Sequence, residues 1–404
     1  VRNLGKVVYS LNYNGTASSF TSDGDVYLKG SDAKSYVLVD KQYANVLTDE
    51  VKFGAFKSVY KESALEEAVG MKSSAGEDYY ELKSGGFIST ADVAIVEDGS
   101  AKRTRITAVT GEKDGSSERI RFAGGSGLPY FFKDKEDGST DIYLYGDIDL
   151  SDTTNLDIKS DVYSSCAITR VENGIKIALT PVKKSEIWGM DIIYDGNDAV
   201  LYTNKRVRVS NDPLHPLSNL KVVIDPGHGG VDSGALGVMG ATGPLEKELN
   251  FANAQMLGAR LQKLGAKVVL TRQSNEENPT LLDRVDTAYD NYADIFISLH
   301  HNSVSEITDG NKNSGVEAYY FESFGKDFSE SVVKNISDTA ADRNLRKNLW
   351  NYFVVTKMRI APAILTEIGF LPNPVEYEKV CSSEEIFKTA EAITVSILKL
   401  MTNQ

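Results

Sequence analysis

The spacing of hydrophobic and polar residues divides the chain into two halves of different character. In the first half, short alternating apolar runs are separated by turn dipeptides that favour a positive φ. These dipeptides are Asp23-Gly24, Asp137-Gly138, Asn173-Gly174 and Asp195-Gly196. The pattern predicts mainly β structure up to residue 209, and only residues 62–71 (ESALEEAVGM) have a helical pattern there.

A polar break at residues 98–102 divides this β half, because a fresh strand pattern begins near Thr104. We therefore predict two mainly β domains, residues 1–100 and 101–209. A linker at residues 210–219 follows, with prolines at 213 and 216 that disfavour helix.

After the linker, strand and helix patterns alternate. A long helix is predicted from about Leu245 to Leu264, and a capping-box signal begins another helix at Thr280. The residues assigned to the apolar face of the long helix are Leu245, Leu249, Ala252, Met256 and Leu264. Strands are predicted at 221–225, 267–270, 294–299, 316–321 and 363–367, and further helices near 326–341 and 383–400. This alternation predicts an α/β domain over residues 220–404 with a mostly parallel sheet.

Composition and charge exclude several classes of protein. The 404 residues are 41% hydrophobic and 25% charged, and no apolar run is long enough for a membrane span. The net charge of −13 comes without a basic stripe, so nucleic acid is not an expected partner. Cys166 and Cys381 are interpreted as two buried thiols, because a disulfide between such distant positions is not expected.

Candidate chemistry lies in four segments of the second half. The segments are Asp225-Pro226-Gly227-His228-Gly229-Gly230, Glu246-Lys247-Glu248, His300-His301-Asn302 and Glu367. Three of them follow or end predicted strands, and the carboxyl ends of parallel strands meet at one edge of a sheet. Two imidazoles and a carboxylate can bind Zn²⁺ and leave a position for water, while a second carboxylate transfers the proton.

The residues alone leave some of these assignments open. Three of the four histidines lie in the pattern, which favours a metal ligand at His228 over an incidental histidine in a glycine-rich turn. His300 and His301 are adjacent and point to opposite sides of an extended segment, so at most one is expected to bind metal. Either Glu246 or Glu248 could instead be a solvated acid in the first turn of a helix. His215, in the linker, is expected to be exposed.

Together the blocks resemble the signature of amidase family 3, over about residues 220–401. The similar segments are IDPGHGG (224–230), EKELN (246–250), SLHHN (298–302) and LTEIGFLPN (365–373), with LTR (270–272) and LDR (282–284) between them. The resemblance implies that His228, Glu246 and His300 bind zinc and that Glu367 is the catalytic carboxylate. It also implies roles for Asn250 and Asn302 in orienting ligands or substrate. His301 is either a contact to a ligand or substrate, or an ordinary exposed residue.

The family resemblance also implies a fold and a reaction. The fold is a twisted, mostly parallel sheet flanked by helices. The reaction is hydrolysis of the amide between N-acetylmuramic acid and L-alanine of the peptidoglycan stem peptide. We expect a secreted, wall-associated monomer whose partner is peptidoglycan, although no leader is visible in the sequence. The alternatives are a zinc peptidase acting within the stem peptide, and a wall-binding protein with a degenerate catalytic domain.

Two further expectations concern the surroundings of the site. Residues 103–208 weakly resemble the β-sandwich wall-targeting domain that often precedes amidases, on hairpin spacing and position in the chain. Some relatives carry a long insertion whose helix plugs the zinc site, whereas residues 302–315 here form a short polar segment. We therefore predict an open site without a built-in plug.

Overall fold

The computed structural model describes most of the chain, with gaps concentrated in the first half. The described residues are 2–3, 6–7, 9–13, 16–20, 26–29, 35–41, 43–48, 56–61, 64–74, 76–97, 104–128, 130–145, 148–149, 158, 160–171, 174–305, 307–339, 344–351 and 353–402. The predicted Asp23-Gly24 turn and the predicted break at residues 98–102 lie outside them.

The chain forms two compact units. One consists of Val1–Lys113, Glu118–Lys184 and Ile192–Tyr202, and the other of Asp114–Ser117, Ser185–Asp191 and Thr203–Gln404. The predicted linker lies inside the second unit, where Leu217 and Leu220 are fully buried members of the main hydrophobic core. The division of the β half near residue 100 stays a prediction.

The first half is mainly β, as predicted. Its first twelve strands are β1 (Arg2–Asn3), β2 (Lys6–Val7), β3 (Tyr9–Tyr13), β4 (Thr16–Phe20), β5 (Val26–Lys29), β6 (Ser35–Val39), β7 (Tyr43–Leu47), β8 (Phe56–Lys61), β9 (Leu65–Ser74), β10 (Glu77–Leu82), β11 (Phe87–Ser89) and β12 (Val93–Glu97). Strands β3 to β12 form a ten-stranded sheet.

The helix predicted at residues 62–71 is wrong over its described part, residues 64–71. Residues 65–74 form β9, which pairs antiparallel with β5, β6 and β10. Helix propensity is a weak preference that tertiary context overrides, and here pairing with three strands prevails over a glutamate- and alanine-rich sequence.

The next ten strands form two four-stranded sheets and one short pair. They are β13 (Thr104–Arg105), β14 (Ala108–Asp114), β15 (Ser117–Ala123), β16 (Tyr130–Asp134), β17 (Thr140–Tyr145), β18 (Ile148–Asp149), β19 (Tyr163–Val171), β20 (Gly174–Pro181), β21 (Ile187–Asp195) and β22 (Asp198–Lys205). The sheet orders are β14-β15-β22-β21 and β16-β17-β20-β19. The turns predicted at Gly138 and Gly196 have positive φ, at 84° and 59°. The β-sandwich assignment itself stays a prediction.

The remaining elements build the second unit. Its strands are β23 (Lys221–Pro226), β24 (Lys267–Leu270), β25 (Ile295–Asn302), β26 (Val316–Tyr320), β27 (Leu345–Trp350) and β28 (Ala363–Phe370). Its helices are α1 (Glu246–Lys263), α2 (Leu281–Asp290), α3 (Lys326–Thr339), α4 (Pro374–Val380) and α5 (Ser383–Thr402). The predicted elements all occur here, whereas β27 and α4 were not predicted.

The six strands form a mixed sheet in the order β24-β23-β25-β28-β26-β27. The neighbours pair in parallel except β26 and β28, which are antiparallel. The expectation of a mostly parallel sheet is therefore corrected to a mixed sheet, because β26 and β28 pair antiparallel. A strand pattern carries no direction, so the sequence could not show that β26 enters the sheet from the opposite end.

Helices α1, α3 and α5 share one core with the sheet. Side chains from β23, β25, β26 and β28 pack there with apolar residues of these three helices. The buried face of α1 differs from the predicted one, because Ala252 and Met256 are only partly buried. The residues of α1 that are buried are Glu246, Leu249, Asn250, Asn253, Ala254, Leu257, Gly258 and Leu261. Three of these buried residues, Glu246, Asn250 and Asn253, are polar, so apolar periodicity does not predict this face.

Candidate metal centre

Three predicted ligand residues meet at one edge of the sheet. His228 follows β23, Glu246 opens α1 and His300 lies near the end of β25. One ligand atom from each lies within 4.8 Å of the other two. His228 Nε2 lies 3.2 Å from Glu246 Oε1, and His300 Nδ1 lies 3.0 Å from the same oxygen. Two imidazole nitrogens and one carboxylate oxygen therefore converge as a three-ligand zinc shell requires.

A tight backbone makes this approach possible. His228 has φ 60°, in the left-handed region that non-glycine residues seldom adopt. A Cβ added at Gly227 would overlap the imidazole of His300. Gly234, with φ +66°, similarly packs against Glu246 and His228, where a side chain would collide. The absence of side chains at these glycines thus lets the predicted ligands lie directly against the main chain.

Glu246 is a buried carboxylate surrounded by donors. Its Oε2 accepts the backbone N–H of Ala235 at 2.6 Å, and its Oε1 accepts the backbone N–H of His301 at 3.1 Å. Burial alone would raise the pKa of Glu246, but the bonds and charges of His228 and His300 outweigh burial and hold the pKa well below its usual value. The carboxylate is therefore ionised and ready to bind a cation.

The neighbouring carboxylates have the opposite effect on the pKa of His228. Burial lowers the pKa of its imidazole, but Glu246 and Asp232 outweigh burial and raise the pKa to about 9. A metal ion at this position therefore has to displace a proton, which makes its binding depend on pH.

Glu367 lies beside these ligands. It is the register partner of His300 on one side and of Glu317, on the antiparallel strand β26, on the other. Its Oε2 is buried and has no hydrogen-bond partner among the described residues. Burial raises the pKa of Glu367 well above its usual value, and the charges of Glu246 and Glu317 raise it further.

Glu317 was not identified from the sequence. Unlike Glu367, it is fully engaged, because it accepts hydrogen bonds from Asn302 at 2.8 Å and Tyr319 at 2.7 Å and pairs with Arg346 at 2.7 Å. The sequence did contain a clue to Glu317, because an acid between Val316 and Ala318 in a predicted strand is as costly to bury as Glu367.

Two buried arginines hold the turn after β23. Arg272 donates to the carbonyls of Pro226 and Gly227, at 2.9 and 3.2 Å. Arg284 donates to the carbonyl of His228 at 3.0 Å and to the Asp225 carboxylate at 2.6 Å. These contacts give a physical role to the LTR and LDR segments, for which the sequence had suggested none.

The other candidate residues have mixed placements. Asn250 is fully buried, donates to Gly227 O and contacts His301 Nδ1 through its Oδ1 at 2.7 Å. His301 is 2% exposed, which rules out ordinary solvent exposure, one of the two alternatives left open for it. Asn302 donates a hydrogen bond to Glu317, and no hydrogen bond between described residues joins its side chain to the three predicted ligands. Glu248 is exposed and caps α1, and His215 is exposed as expected. Whether Asn250, His301 or Asn302 contacts substrate stays a prediction.

The segment after Asn302 is fixed to the end of the sheet. Its described residues, 303–305 and 307–315, contain a single 3₁₀ turn at Gly310–Lys312 and no α-helix. Asn373 donates to the carbonyl of Asn313 at 2.9 Å, and Glu376 accepts the N–H of Gly315 at 2.6 Å. The open site stays a prediction. Cys166 and Cys381 are free thiols, partly rather than fully buried.

Comparison with known proteins shows the family. Residues 222–399 match the family described as N-acetylmuramoyl-L-alanine amidase. The uncharacterized protein YqiI of Bacillus subtilis is 32% identical over 188 residues, which are 45% of this chain and 85% of YqiI. The germination-specific N-acetylmuramoyl-L-alanine amidase of the same organism is 31% identical over 215 residues, covering 47% of this chain and 83% of that protein.

A third relative is matched over a smaller part of its length. The N-acetylmuramoyl-L-alanine amidase LytC of Bacillus subtilis is 32% identical over 192 residues, which are 46% of this chain and 36% of LytC. All three similarities span slightly less than half of this chain. On this sequence similarity and the residues gathered at the site, the chain belongs to the N-acetylmuramoyl-L-alanine amidase family.

Proposed function

We propose that this protein is a peptidoglycan hydrolase that cleaves the amide between N-acetylmuramic acid and L-alanine of the stem peptide. The observation that carries the proposal is the convergence of His228, Glu246 and His300 within 4.8 Å, with Glu367 in register beside His300. Relatives named as N-acetylmuramoyl-L-alanine amidases support the choice of bond.

The cofactor that fits the three ligands is zinc. Two imidazoles with one carboxylate are a common ligand set of catalytic zinc, and three protein ligands leave room for water. Zinc bound there would supply an activated water molecule and polarise the scissile carbonyl. His228 would bind through Nε2, His300 through Nδ1 and Glu246 through Oε1, because these atoms already face one another.

Glu367 is the group that would move protons. Its carboxylate would take a proton from the attacking water and pass the proton to the departing amide nitrogen. A raised pKa suits this role, because a general base works best when its pKa lies near the working pH. Glu317 supports the role from the next strand, since its negative charge contributes to the shift.

The substrate class implies where the protein works. Peptidoglycan places it outside the cell, at the wall, and we propose that the β half contributes to wall binding. No helix among the described residues is long and apolar enough to cross a membrane.

The test is mass spectrometry of purified peptidoglycan digested by the zinc-loaded protein, with Glu367→Gln alongside. We expect free stem peptides that begin with L-alanine, and a loss of rate in the variant of about 10²- to 10⁴-fold, the usual contribution of a general base. Glutamine keeps the size of the side chain but cannot take a proton from water.

The products also separate the alternatives. Fragments cut within the stem peptide would assign the protein as a zinc peptidase. Absence of any cleavage by the zinc-loaded protein, with retained binding to the wall, would favour a binding protein and contradict the proposal.

A further inference from the structure

The imidazole of His228 has a different partner at each nitrogen. Nε2 faces the ligand cluster, 3.2 Å from Glu246 Oε1. Nδ1 faces away from the cluster and lies 2.8 Å from Oδ2 of Asp232. The ring is therefore held between two carboxylates, of which one belongs to the cluster and the other stands behind it.

The main chain fixes the position of Asp232. Gly229 and Asp232 exchange two backbone hydrogen bonds, of 3.0 and 2.9 Å, which fold the chain back onto His228. The second carboxylate oxygen, Oδ1, accepts the N–H of Gly234 at 3.0 Å. With one oxygen tied to the backbone, the other is aimed at the imidazole.

We propose that Asp232 is a positioning residue that fixes the tautomer and orientation of His228. A neutral imidazole carries one proton, and a carboxylate at Nδ1 can only accept that proton in a hydrogen bond. Once Nε2 has lost its proton, Asp232 therefore keeps the remaining proton on Nδ1, and the lone pair of Nε2 points into the cluster. The inference rests on the proposed zinc site, because it concerns how that site is prepared for the ion.

The expected consequence is tighter metal binding. A carboxylate behind a histidine ligand raises the basicity of the ligand, and removal of such a partner typically costs 10- to 100-fold in metal affinity. Asp232 is 51% exposed, so water competes for its carboxylate. We therefore expect a loss at the lower end of that range, about tenfold.

The test compares two substitutions in the full chain. In Asp232→Asn, the amide oxygen can still accept the N–H of Gly234, but the amide nitrogen cannot accept from His228. Asp212→Asn is the matched control. Asp212 Oδ2 contacts His215 Nδ1 at 2.7 Å, its Oδ1 accepts the N–H of Leu214 at 2.9 Å, and its side chain is 49% exposed.

The first measurement is the zinc dissociation constant, by competition with a chromophoric chelator. We expect about a tenfold increase for Asp232→Asn and none for Asp212→Asn. Equal affinities for wild type and Asp232→Asn would overturn the inference while leaving the zinc site in place. A wild-type protein that binds no zinc would overturn the proposed function and this inference together.

The second measurement is independent of metal binding and of stability. Nitrogen-15 NMR of the four histidines in the zinc-free protein reports which ring nitrogen carries the proton. For the neutral imidazole of His228, we expect a smaller share of protonated Nδ1 in Asp232→Asn than in wild type, because Glu246 then remains as the carboxylate that can accept from Nε2. Unchanged nitrogen shifts for His228 in the variant would contradict the inference, even if the variant were less stable.

Discussion

At the scale of single residues, the second unit is notable for its buried acids. Asp225, Glu246 and Glu317 each accept several hydrogen bonds, which offsets the cost of burial. Asp294 is different, because its Oδ2 accepts the N–H of Lys221 at 2.7 Å while its Oδ1 is buried without a partner among the described residues. Its burial raises its pKa to about 6.

This shift predicts a pH-dependent contribution to stability. Between about pH 4 and pH 6, folded Asp294 keeps a proton that the unfolded chain releases, so the free energy of unfolding falls as pH rises through this window. Asp294→Asn removes the effect. We expect the free energy of unfolding of wild type, measured with urea, to fall relative to that of the variant by on the order of 2 kcal/mol between pH 4 and pH 7. Parallel stability curves would contradict the prediction.

The choice between Glu246 and Glu248 is a second prediction at this scale. Glu246 is buried among the ligands, whereas Glu248 is exposed and accepts the N–H of Leu245 at 3.0 Å. We expect Glu246→Gln to weaken zinc binding by more than about 100-fold, because even a partner behind a ligand costs 10- to 100-fold. Glu248→Gln should bind zinc like wild type in the same chelator competition. Equal losses in both variants would argue against Glu246 as a ligand.

At the scale of elements, the site is a turn clamped onto a sheet edge. The turn after β23 presents His228, and Arg272 and Arg284 hold its carbonyl groups from two other segments. His300 and Glu367 belong instead to adjacent strands with a fixed register. The arrangement depends on Gly227, since any side chain there would displace the ring of His300.

Gly227→Ala is therefore expected to disrupt the proposed metal site. We expect at least about a tenfold loss of zinc affinity, comparable to other changes that misplace a ligand. The control is Gly258→Ala in the middle of α1, where an added Cβ meets only ordinary contacts, the nearest at 3.5 Å. That change should leave zinc binding intact and stabilise the fold by up to about 1 kcal/mol. Chelator competition and thermal unfolding of both variants test this pair.

Many helix starts and strand ends could be predicted from the sequence, because local sequence patterns determine them. The capping box at Thr280 and the strand ends that carry His228, His300 and Glu367 are encoded in a few neighbouring residues. The sequence could not predict contacts between distant segments. The role of Arg284, the position of Glu317 opposite Glu367 and the strand formed by residues 65–74 all depend on partners far along the chain.

At the scale of the whole molecule, the second unit begins earlier than the linker suggested. Asn204 is fully buried and donates to the carbonyls of Ala293 and Ile360, at 3.3 and 3.2 Å. Trp188 and Val207 belong to the main core of the unit. Prolines and polar residues at 210–219 marked an irregular segment, but irregular structure is not by itself a domain boundary.

Truncation tests this boundary. A fragment of residues 203–404 should be more stable than one of residues 210–404, because the shorter fragment loses Asn204 and the buried Val207, worth at least about 2 kcal/mol together. Thermal unfolding of the two fragments measures the difference. Trp188→Ala in the full chain is the companion variant, since both fragments lack that residue. Identical melting temperatures for the fragments would contradict the prediction.

The shared register of His300 and Glu367 has a mechanical consequence. Neither backbone can move relative to the other without breaking the hydrogen bonds between β25 and β28. His228, by contrast, lies in a glycine-rich turn and not in a strand. An ion of different radius would therefore be accommodated by adjustment on the His228 side, while the distance between the backbones of His300 and Glu367 stays constant.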